Sequence, residues 1–305
     1  MEDSKFQDSE SCVSFKVKRD CDKLENYLKE DYGVSSRMIK RMVRDKSIYL
    51  NREKVRRNVK VRKGDIIHLI MGDEEENSLP DPEVNLNIVY EDMDLLVLNK
   101  QPYTVVHTTR NHQMGTIANG VADYFITKDI KKRVRFINRL DRDTSGILLI
   151  GKNSFSHQQV SDQFKNDTVT KKYMTLVDGV VKADRGTIDA PIEREDAEES
   201  IIRVVRPDGK RAVTHFEVAE RYKNATLLKV RLETGRTHQI RVHLKYMGHP
   251  IIGDELYFEK SPYIDRQALH SYYMEIEQPR TREKLMLEAE LPEDMKNLIE
   301  VLKKA

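Results

Sequence analysis

The stretch from Asp73 to Asp94 constrains this chain more than any other, because it holds nine acidic residues and no lysine or arginine. Pro80 and Pro82 break any regular element in its first part, since proline lacks the backbone donor that a helix or central strand needs. Residues 73–86 therefore read as a linker that keeps two folded units apart. Charge on the N-terminal side agrees. Between Asp31 and Ile70, twelve Lys/Arg stand against four Asp/Glu, a net +8, whereas residues 71–94 carry −9. The whole chain is only +2, with 53 basic and 51 acidic residues, so a near-neutral total hides a sharp division. A length of 305 residues also suits two domains of about 100–200 residues each.

The first unit, residues 13–72, follows an expected disordered tail at 1–12 and reads as a small α/β fold. Ser14 to Val17 alternates like a strand. Leu24, Tyr27 and Leu28 form the stripe of an amphipathic helix. Ser35 or Ser36 suits the start of a second helix, with Ile39, Met42 and Val43 on its apolar face. Ile48–Leu50, Val59–Val61 and Ile66–Ile70 read as short strands. Arg37, Lys40, Arg41 and Arg44 lie on the second helix away from Ile39 and Val43, and Arg52, Lys54, Arg56 and Arg57 follow in the next strand and turn. A basic helix face beside a basic loop can track a phosphate backbone. An ordinary solvated face is the plain alternative, but clustering of this degree in a balanced chain favours nucleic acid.

Residues 87–305 read as one larger domain. Short β-like runs dominate, among them Ile88–Tyr90, Leu95–Leu98, Ile147–Ile150, Tyr173–Val177 and Leu227–Leu232. Helical patterns are fewer, at Ala118–Phe125 and His157–Phe164. Strand runs with a few helices imply an α+β fold around a mixed, largely antiparallel sheet.

Several classes are excluded. No run approaches 18 apolar residues, so no membrane-spanning helix is expected. Met1 to Glu10 is acidic and lacks the apolar core of a secretory signal, so a cytoplasmic location is expected. Cys12 and Cys21 make neither a disulfide framework nor a zinc site. His238 and His243 are five apart and fall on different faces of a helix or strand, which argues against a metal pair. Gly146 to Asn153 comes within one residue of a phosphate-binding loop. Its intervening Ile-Leu-Leu-Ile is strand material, and the Ser/Thr that would hold magnesium is missing.

Two dense segments carry the candidate chemistry. In Asn138-Arg139-Leu140-Asp141-Arg142-Asp143-Thr144-Ser145-Gly146, a polar turn feeds an apolar strand. Its composition alone fits an ordinary turn, but the flanking arginines favour the ionised Asp141 that a nucleophile or base requires. In Glu233 to Leu244, Ile240, Val242 and Leu244 alternate with Gln239, Arg241 and His243. That pattern fits a strand better than a helix and puts Arg241 on its polar side, available to pair with Asp141.

Five blocks in order then resemble the RluA family of RNA pseudouridine synthases: Arg139-Leu140-Asp141-x-x-Thr144-Ser145-Gly146; Lys171-Lys172-Tyr173; Gly235 through His243; Gly248-His249-Pro250-Ile251-x-Gly253-Asp254; and Arg266-Gln267-Ala268-Leu269-His270. Order and approximate spacing hold over roughly two thirds of the chain. In the first unit, Lys23-Leu24, Val34-Ser35-Ser36-Arg37, Ile48 to Asn51 and Val59 to Ile67 resemble the S4 RNA-binding module that RluC/RluD-type members carry. Three departures stand out. Arg52 replaces the usual Gly after Asn51, Asn138 replaces the His before Arg-Leu-Asp, and Gln101-Pro102-Tyr103 replaces Pro-x-Gly between Lys100 and His107.

The resemblance implies a pseudouridine-synthase type of catalytic domain behind an S4-like module. It implies an enzyme that isomerises uridine in RNA after flipping the nucleotide out of its stack. Asp141 is then the essential carboxylate, Arg241 its partner, Tyr173 the aromatic against the uracil, and Arg139 the side chain that fills the gap left by the flipped base. His107 and His270 are expected to be structural. The reaction needs no metal or cofactor. The expected partner is large-subunit ribosomal RNA, with tRNA second; no membrane or DNA is expected, and the chain is expected to be a monomer. Two rivals stand beside this: a non-catalytic RNA-binding protein on the same scaffold, and a glycosidase using Asp141 and Asp143 as a carboxylate pair.

Overall fold

The computed structural model describes residues 3–74, 76, 78–196 and 200–304. The N-terminal unit runs β1 (Cys12–Lys16), α1 (Leu24–Tyr32), α2 (Ser36–Arg44), β2 (Ile48–Leu50), β3 (Glu53–Lys54) and β4 (Ile66–Ile70). Its strands form a sheet in the order β1-β4-β2-β3. Helix α1 ends at Gly33, whose φ of 62° is the left-handed cap that glycine adopts freely. Helix α2 begins at Ser35, whose Oγ accepts the Met38 N–H at 3.2 Å. Asn51 and Arg52 both adopt left-handed φ, 51° and 71°, giving the tight turn between β2 and β3 without a glycine. The Asn51 side chain secures that turn by accepting the Ile66 N–H and donating to Asp65, both at 2.8 Å. Val59–Val61, expected as a strand, contributes only a single bridge from Val61 to Cys21.

The tail expected to be disordered is ordered from Asp3 onward. A 3-10 turn covers Asp3–Phe6, Lys5 donates to the Tyr49 hydroxyl at 2.6 Å, and Asp8 accepts the Ser14 N–H at 2.9 Å.

The larger part continues with β5 (Ile88–Glu91), β6 (Leu95–Lys100), α3 (Ile117–Thr127), β7 (Arg135–Phe136), β8 (Ser145–Gly151), α4 (Ser154–Lys165), β9 (Thr170–Asp178), β10 (Arg185–Asp189), β11 (Ile192–Arg194) and β12 (Arg203–Val205). It ends with β13 (Val213–Arg221), β14 (Ala225–Leu232), α5 (Gln239–Tyr246), β15 (Leu269–Glu277), β16 (Lys284–Glu288) and α6 (Glu293–Lys304). The main sheet has the order β10-β13-β14-β9-β15-β8-β6-β5, with β16 beside β15 and β7 beside β8. Strands β15 and β8 pair in parallel. Every other described pairing in this sheet is antiparallel.

Strands β6 and β8 read as continuous apolar runs because helices cover both of their faces. On one side Val121 and Phe125 of α3 pack on Leu96, Leu98, Leu148 and Ile150. On the other, Val160 of α4 packs with Leu95, Val97, Ile147 and Leu149. Helices α5 and α6 cover the β9–β14 region through Ile240, Leu244, Met295 and Leu298.

The two units are docked rather than held apart. Phe155 of α4 is fully buried in the N-terminal core beside Phe15, with ring centroids 5.6 Å apart. The Arg282 guanidinium donates to Tyr32 O at 2.6 Å, and Arg280 to Cys12 O at 2.8 Å. The stretch after Met71 is a strap rather than a free spacer. Buried Lys132 donates to Met71 O and Gly72 O at 2.8 Å each. Asn119 donates to Leu79 O at 2.7 Å, and Asp81 accepts the Gly115 N–H at 3.0 Å.

One glycine is dictated by the closeness of β8 and β15. Gly146 has φ of 112°, and a Cβ there would lie 2.2 Å from Ser271 O. Gly146→Ala is expected to cost about 3 kcal/mol or more of unfolding free energy. Gly115 supplies the control: it also has positive φ, at 72°, but a Cβ there meets nothing within 4 Å. Equal shifts of the urea midpoint in the two alanine variants would show that backbone conformation, not strand contact, requires glycine at 146.

Candidate active site

In the loop that carries Asp141, the four residues from Arg142 to Ser145 are each held by a bond from one of two directions. Lys100 of β6 donates to Arg142 O at 2.7 Å. Arg266 donates to Asp143 O at 2.9 Å while its guanidinium grips Asp294 of α6 at 2.6 and 2.9 Å. Gln267 donates to Thr144 Oγ1 at 3.2 Å, and His270 Nδ1 lies 2.9 Å from Ser145 Oγ. The segment from Arg266 to His270 is thus a scaffold for the Asp141 loop, which is how a side chain is fixed in a working position. His270 is buried, and its other nitrogen meets Ala289 O at 3.1 Å.

Asp141 projects from this loop into a cleft of about 220 Å³ whose lining includes Arg139, Tyr173, His238 and Arg241. Its Oδ2 lies 3.3 Å from Arg241 Nη1. Arg241 is anchored from behind by Asp254, which receives Nε at 2.7 Å and Nη2 at 2.6 Å. Burial opposes the guanidinium charge, but the bonds and charge of Asp254, with Asp141 beside it, outweigh burial and raise the Arg241 pKa. Arg241 sits on helix α5, not on the strand expected from the alternation of Ile240, Val242 and Leu244.

His238 precedes α5 in the left-handed region, at φ 55° and ψ 19°. Its Nε2 is 3.7 Å from Asp141 Oδ2, and its Nδ1 is 2.8 Å from the Tyr257 hydroxyl. Burial is the main cause that lowers the His238 pKa, so the ring is neutral near pH 7. Tyr173 enters the cleft from β9, opposite Ser271 of β15 and Val230 of β14. Burial pushes its phenol up to about 12, and the Asp141 charge adds to the shift against a partial offset from Ser271. Arg139 is exposed at the rim and donates to Thr237 Oγ1 at 3.2 Å. Asp143, the second carboxylate of the glycosidase rival, is turned to Arg142 instead, at 2.8 and 3.0 Å.

The sequence reading missed Asp254, His238 and Tyr257 as members of this cluster. Asp254 was visible in the Gly253-Asp254 pair. Gly253 has φ of 77°, and a Cβ there would lie 2.3 Å from Arg266 O, so the turn that aims Asp254 needs glycine. His107 packs edge-on against Phe136, with centroids 4.8 Å apart, and does not line the Asp141 cleft. Among the described residues no group of three or more metal-ligating side chains comes together, and no helix is long and apolar enough to cross a membrane.

Lys100 is buried beneath the loop, and burial lowers its pKa to about 7 from an ordinary 10.5. Between those values the unfolded chain binds more protons than the folded one, so stability rises with pH across that window. Relative to Lys100→Met, the wild type is expected to gain up to about 2 kcal/mol of unfolding free energy between pH 7 and 9. Urea titrations at both pH values check this; a difference that stays flat removes Lys100 as the cause.

The eight basic residues of the N-terminal unit separate into two groups. Arg37, Lys40, Arg41 and Arg44 line a groove of about 850 Å³, completed from the larger unit by Arg135, Ser154, His157 and Gln158. Arg41 bridges the two sides by donating to Ser154 Oγ at 2.7 Å. Arg52, Lys54, Arg56 and Arg57 are exposed on the β2–β3 hairpin and the turn after it, outside that groove. Arg57 pairs with Glu25 at 3.5 Å.

Comparison with known proteins gives a consistent family. A family model described as RNA pseudouridylate synthase matches residues 94–246. The "Uncharacterized RNA pseudouridine synthase YlyB" of Bacillus subtilis is 41% identical over 276 residues, 88% of this chain and 90% of that protein. "Ribosomal large subunit pseudouridine synthase D" of Haemophilus influenzae is 34% identical over 258 residues, 80% of this chain and 79% of that protein. The solved structure of "Human RNA Pseudouridylate Synthase Domain Containing 1" superposes with a TM-score of 0.58 at 26% identity, covering 74% of this chain and 98% of that one. With a matching family model, long relatives well above 30% identity and the same fold, the chain belongs to the RNA pseudouridylate synthase family and is a pseudouridine synthase of the RluA kind.

Proposed function

We propose that this pseudouridine synthase acts on uridines of large-subunit ribosomal RNA, with Asp141 as its essential carboxylate. The observation that carries this reading is the Asp141–Arg241 pair in the cleft that also holds Tyr173. The target class rests on similarity to a relative named as a ribosomal large subunit synthase.

In this reading the target nucleotide leaves its stack, at a cost of a few kcal/mol, and enters the cleft. Arg241, pinned by Asp254, holds Oδ2 of Asp141 and leaves Oδ1 facing the ribose. Isomerisation then breaks C1′–N1, turns the uracil over and joins C5 to C1′. Tyr173 presents a neutral phenol to the uracil. With its pKa pushed up to about 12 it is a packing face and donor at neutral pH, and taking the C5 proton requires another group to remove its own first. Arg139 offers a planar guanidinium at the rim to stack in the gap left by the flipped base.

The reading includes an S4-like role for residues 13–72, a linker at 73–86 and a catalytic domain at 87–305. The basic groups on α2 and on the β2–β3 hairpin hold RNA phosphates. Replacing Arg37, Lys40 and Arg44 together by alanine is expected to reduce the slope of log affinity against log salt by about two to three, since each phosphate contact contributes roughly 0.7–0.9. Filter binding of transcribed ribosomal RNA between 50 and about 200 mM salt reads this out; an unchanged slope removes α2 from the interface.

Activity itself is tested by tritium release from transcribed large-subunit RNA carrying 5-tritiated uridine, with Asp141→Asn as control. Release confined to tRNA would move the substrate to that class. Free uracil among the products would favour the glycosidase. A pseudouridine map of RNA from cells lacking the protein then locates the position.

A further inference from the structure

We infer that His238 and Asp141 together form the site that recognises the ribose 2′-hydroxyl of the flipped uridine, which makes His238 a residue that distinguishes RNA from DNA at the target. This rests on Asp141 facing the ribose, as proposed above.

The Tyr257 oxygen accepts the backbone N–H of Arg203 at 2.9 Å. Its own proton therefore needs an acceptor, and His238 Nδ1 lies 2.8 Å away. A neutral imidazole that accepts at Nδ1 carries its hydrogen on Nε2. The Tyr257 ring is itself held under the Arg241 guanidinium, 4.9 Å from its centroid. His238 is thus fixed both by this bond and by a left-handed backbone that a non-glycine residue keeps only when its surroundings enforce it.

Nε2–H points into the cleft, 3.7 Å from Asp141 Oδ2. That is too long for a hydrogen bond. It is, however, a span that a single oxygen closes by bonding to both groups at about 2.8 Å. Such an oxygen must accept from the imidazole and donate to the carboxylate. A carbonyl oxygen can do only the first, and an imide N–H only the second. Water can do both when no RNA is bound, but of the groups a flipped nucleotide brings, only a hydroxyl can. Inside an RNA chain the 3′ and 5′ oxygens are esterified and uracil is in its keto form, so the one hydroxyl on the target nucleotide is at 2′. The 2′-hydroxyl is also the group by which proteins tell RNA from DNA. Bound there, it sets C1′ and C2′ beside the free Oδ1 of Asp141, whichever of the two that oxygen engages.

The test uses the full-length enzyme and two synthetic stem-loops that carry the mapped target, one with 5-tritiated uridine and one with 5-tritiated 2′-deoxyuridine. Release from the first by the wild type establishes the activity on which the inference rests; no release overturns that reading and not this one alone. The wild type is expected to lose about 100-fold in kcat/KM on the deoxy target, because two hydrogen bonds go. His238→Phe keeps the ring bulk and removes the donor. It is expected to lose about tenfold on the ribo target, with a deoxy penalty that shrinks to about tenfold. An undiminished 100-fold penalty in His238→Phe overturns the inference, since the two losses would then be independent. Tyr257→Phe decides the case if that variant does not fold. It releases the imidazole to place its proton on Nδ1, and its deoxy penalty is likewise expected to shrink, whereas a full penalty overturns the assignment.

Discussion

Asp141→Asn is expected to lower kcat by about 10³-fold or more while leaving the fold intact. The proposed chemistry needs a negative oxygen at the ribose, and an amide supplies none. The fold does not need that charge. The Asp141 side chain is 28% exposed, and Arg241 keeps its paired bonds to Asp254 when Asp141 is neutral. No buried charge is orphaned, so the stability change is expected within about 1 kcal/mol. Single-turnover tritium release and a urea titration on the same preparation give both numbers. A residual rate within tenfold of wild type would show that another group carries the reaction.

Arg241→Met is expected to fail for a different reason. Asp254 is 1% exposed and receives two arginine N–H donors. Removing the guanidinium leaves that carboxylate buried and uncompensated, at a cost of about 3–5 kcal/mol. Activity falls as well, because Oδ2 of Asp141 loses its partner. The double variant Arg241→Met/Asp254→Leu separates the two effects. Apolar replacement of both partners is expected to restore most of the stability and none of the activity. A single variant that loses less than about 1 kcal/mol would mean that Asp254 finds water or another donor, and that the anchoring of Arg241 is weaker than its geometry implies.

Much of the scaffold was legible where an unbroken apolar run or a capping residue marks the element. The runs Leu95–Leu98 and Ile147–Ile150 are central strands, and Ser35 caps α2 through its hydroxyl. Helix α5 was not legible. Gln239 through Leu244 are all buried, and only Lys245 and Tyr246 in the last turn are exposed. An amphipathic period therefore never forms, and three alternating apolar residues mimic a strand. Asp141, Tyr173 and Arg241 were accessible through family resemblance, and the cleft brings them together. His238 and Tyr257 were not, because their importance lies in hydrogen bonds between segments that sequence spacing does not encode, and Asp254 left only the turn signal of Gly253. The strap after Met71 was misread for a related reason. Its acidic composition suggests solvent, but Glu74, Glu76 and Asp81 take donors from the larger unit at Arg135, Val134 and Gly115, and Leu79 O accepts from Asn119.

If the basic groove holds RNA as proposed, strand β8 bears on which uridines can react. Its Ser145 end follows the Asp141 loop, and its Gly151 end leads into α4, whose Phe155 is locked in the N-terminal core and whose first turn borders the basic groove. Six steps of extended chain span about 20 Å, and neither end is free to move relative to the other. An RNA gripped at both places is gauged as if between the jaws of a caliper. Sequence around the target would then matter less than the distance from the reacting base to the nearest ordered stretch of backbone, and a uridine one helical step out of place would be passed over even with identical neighbours.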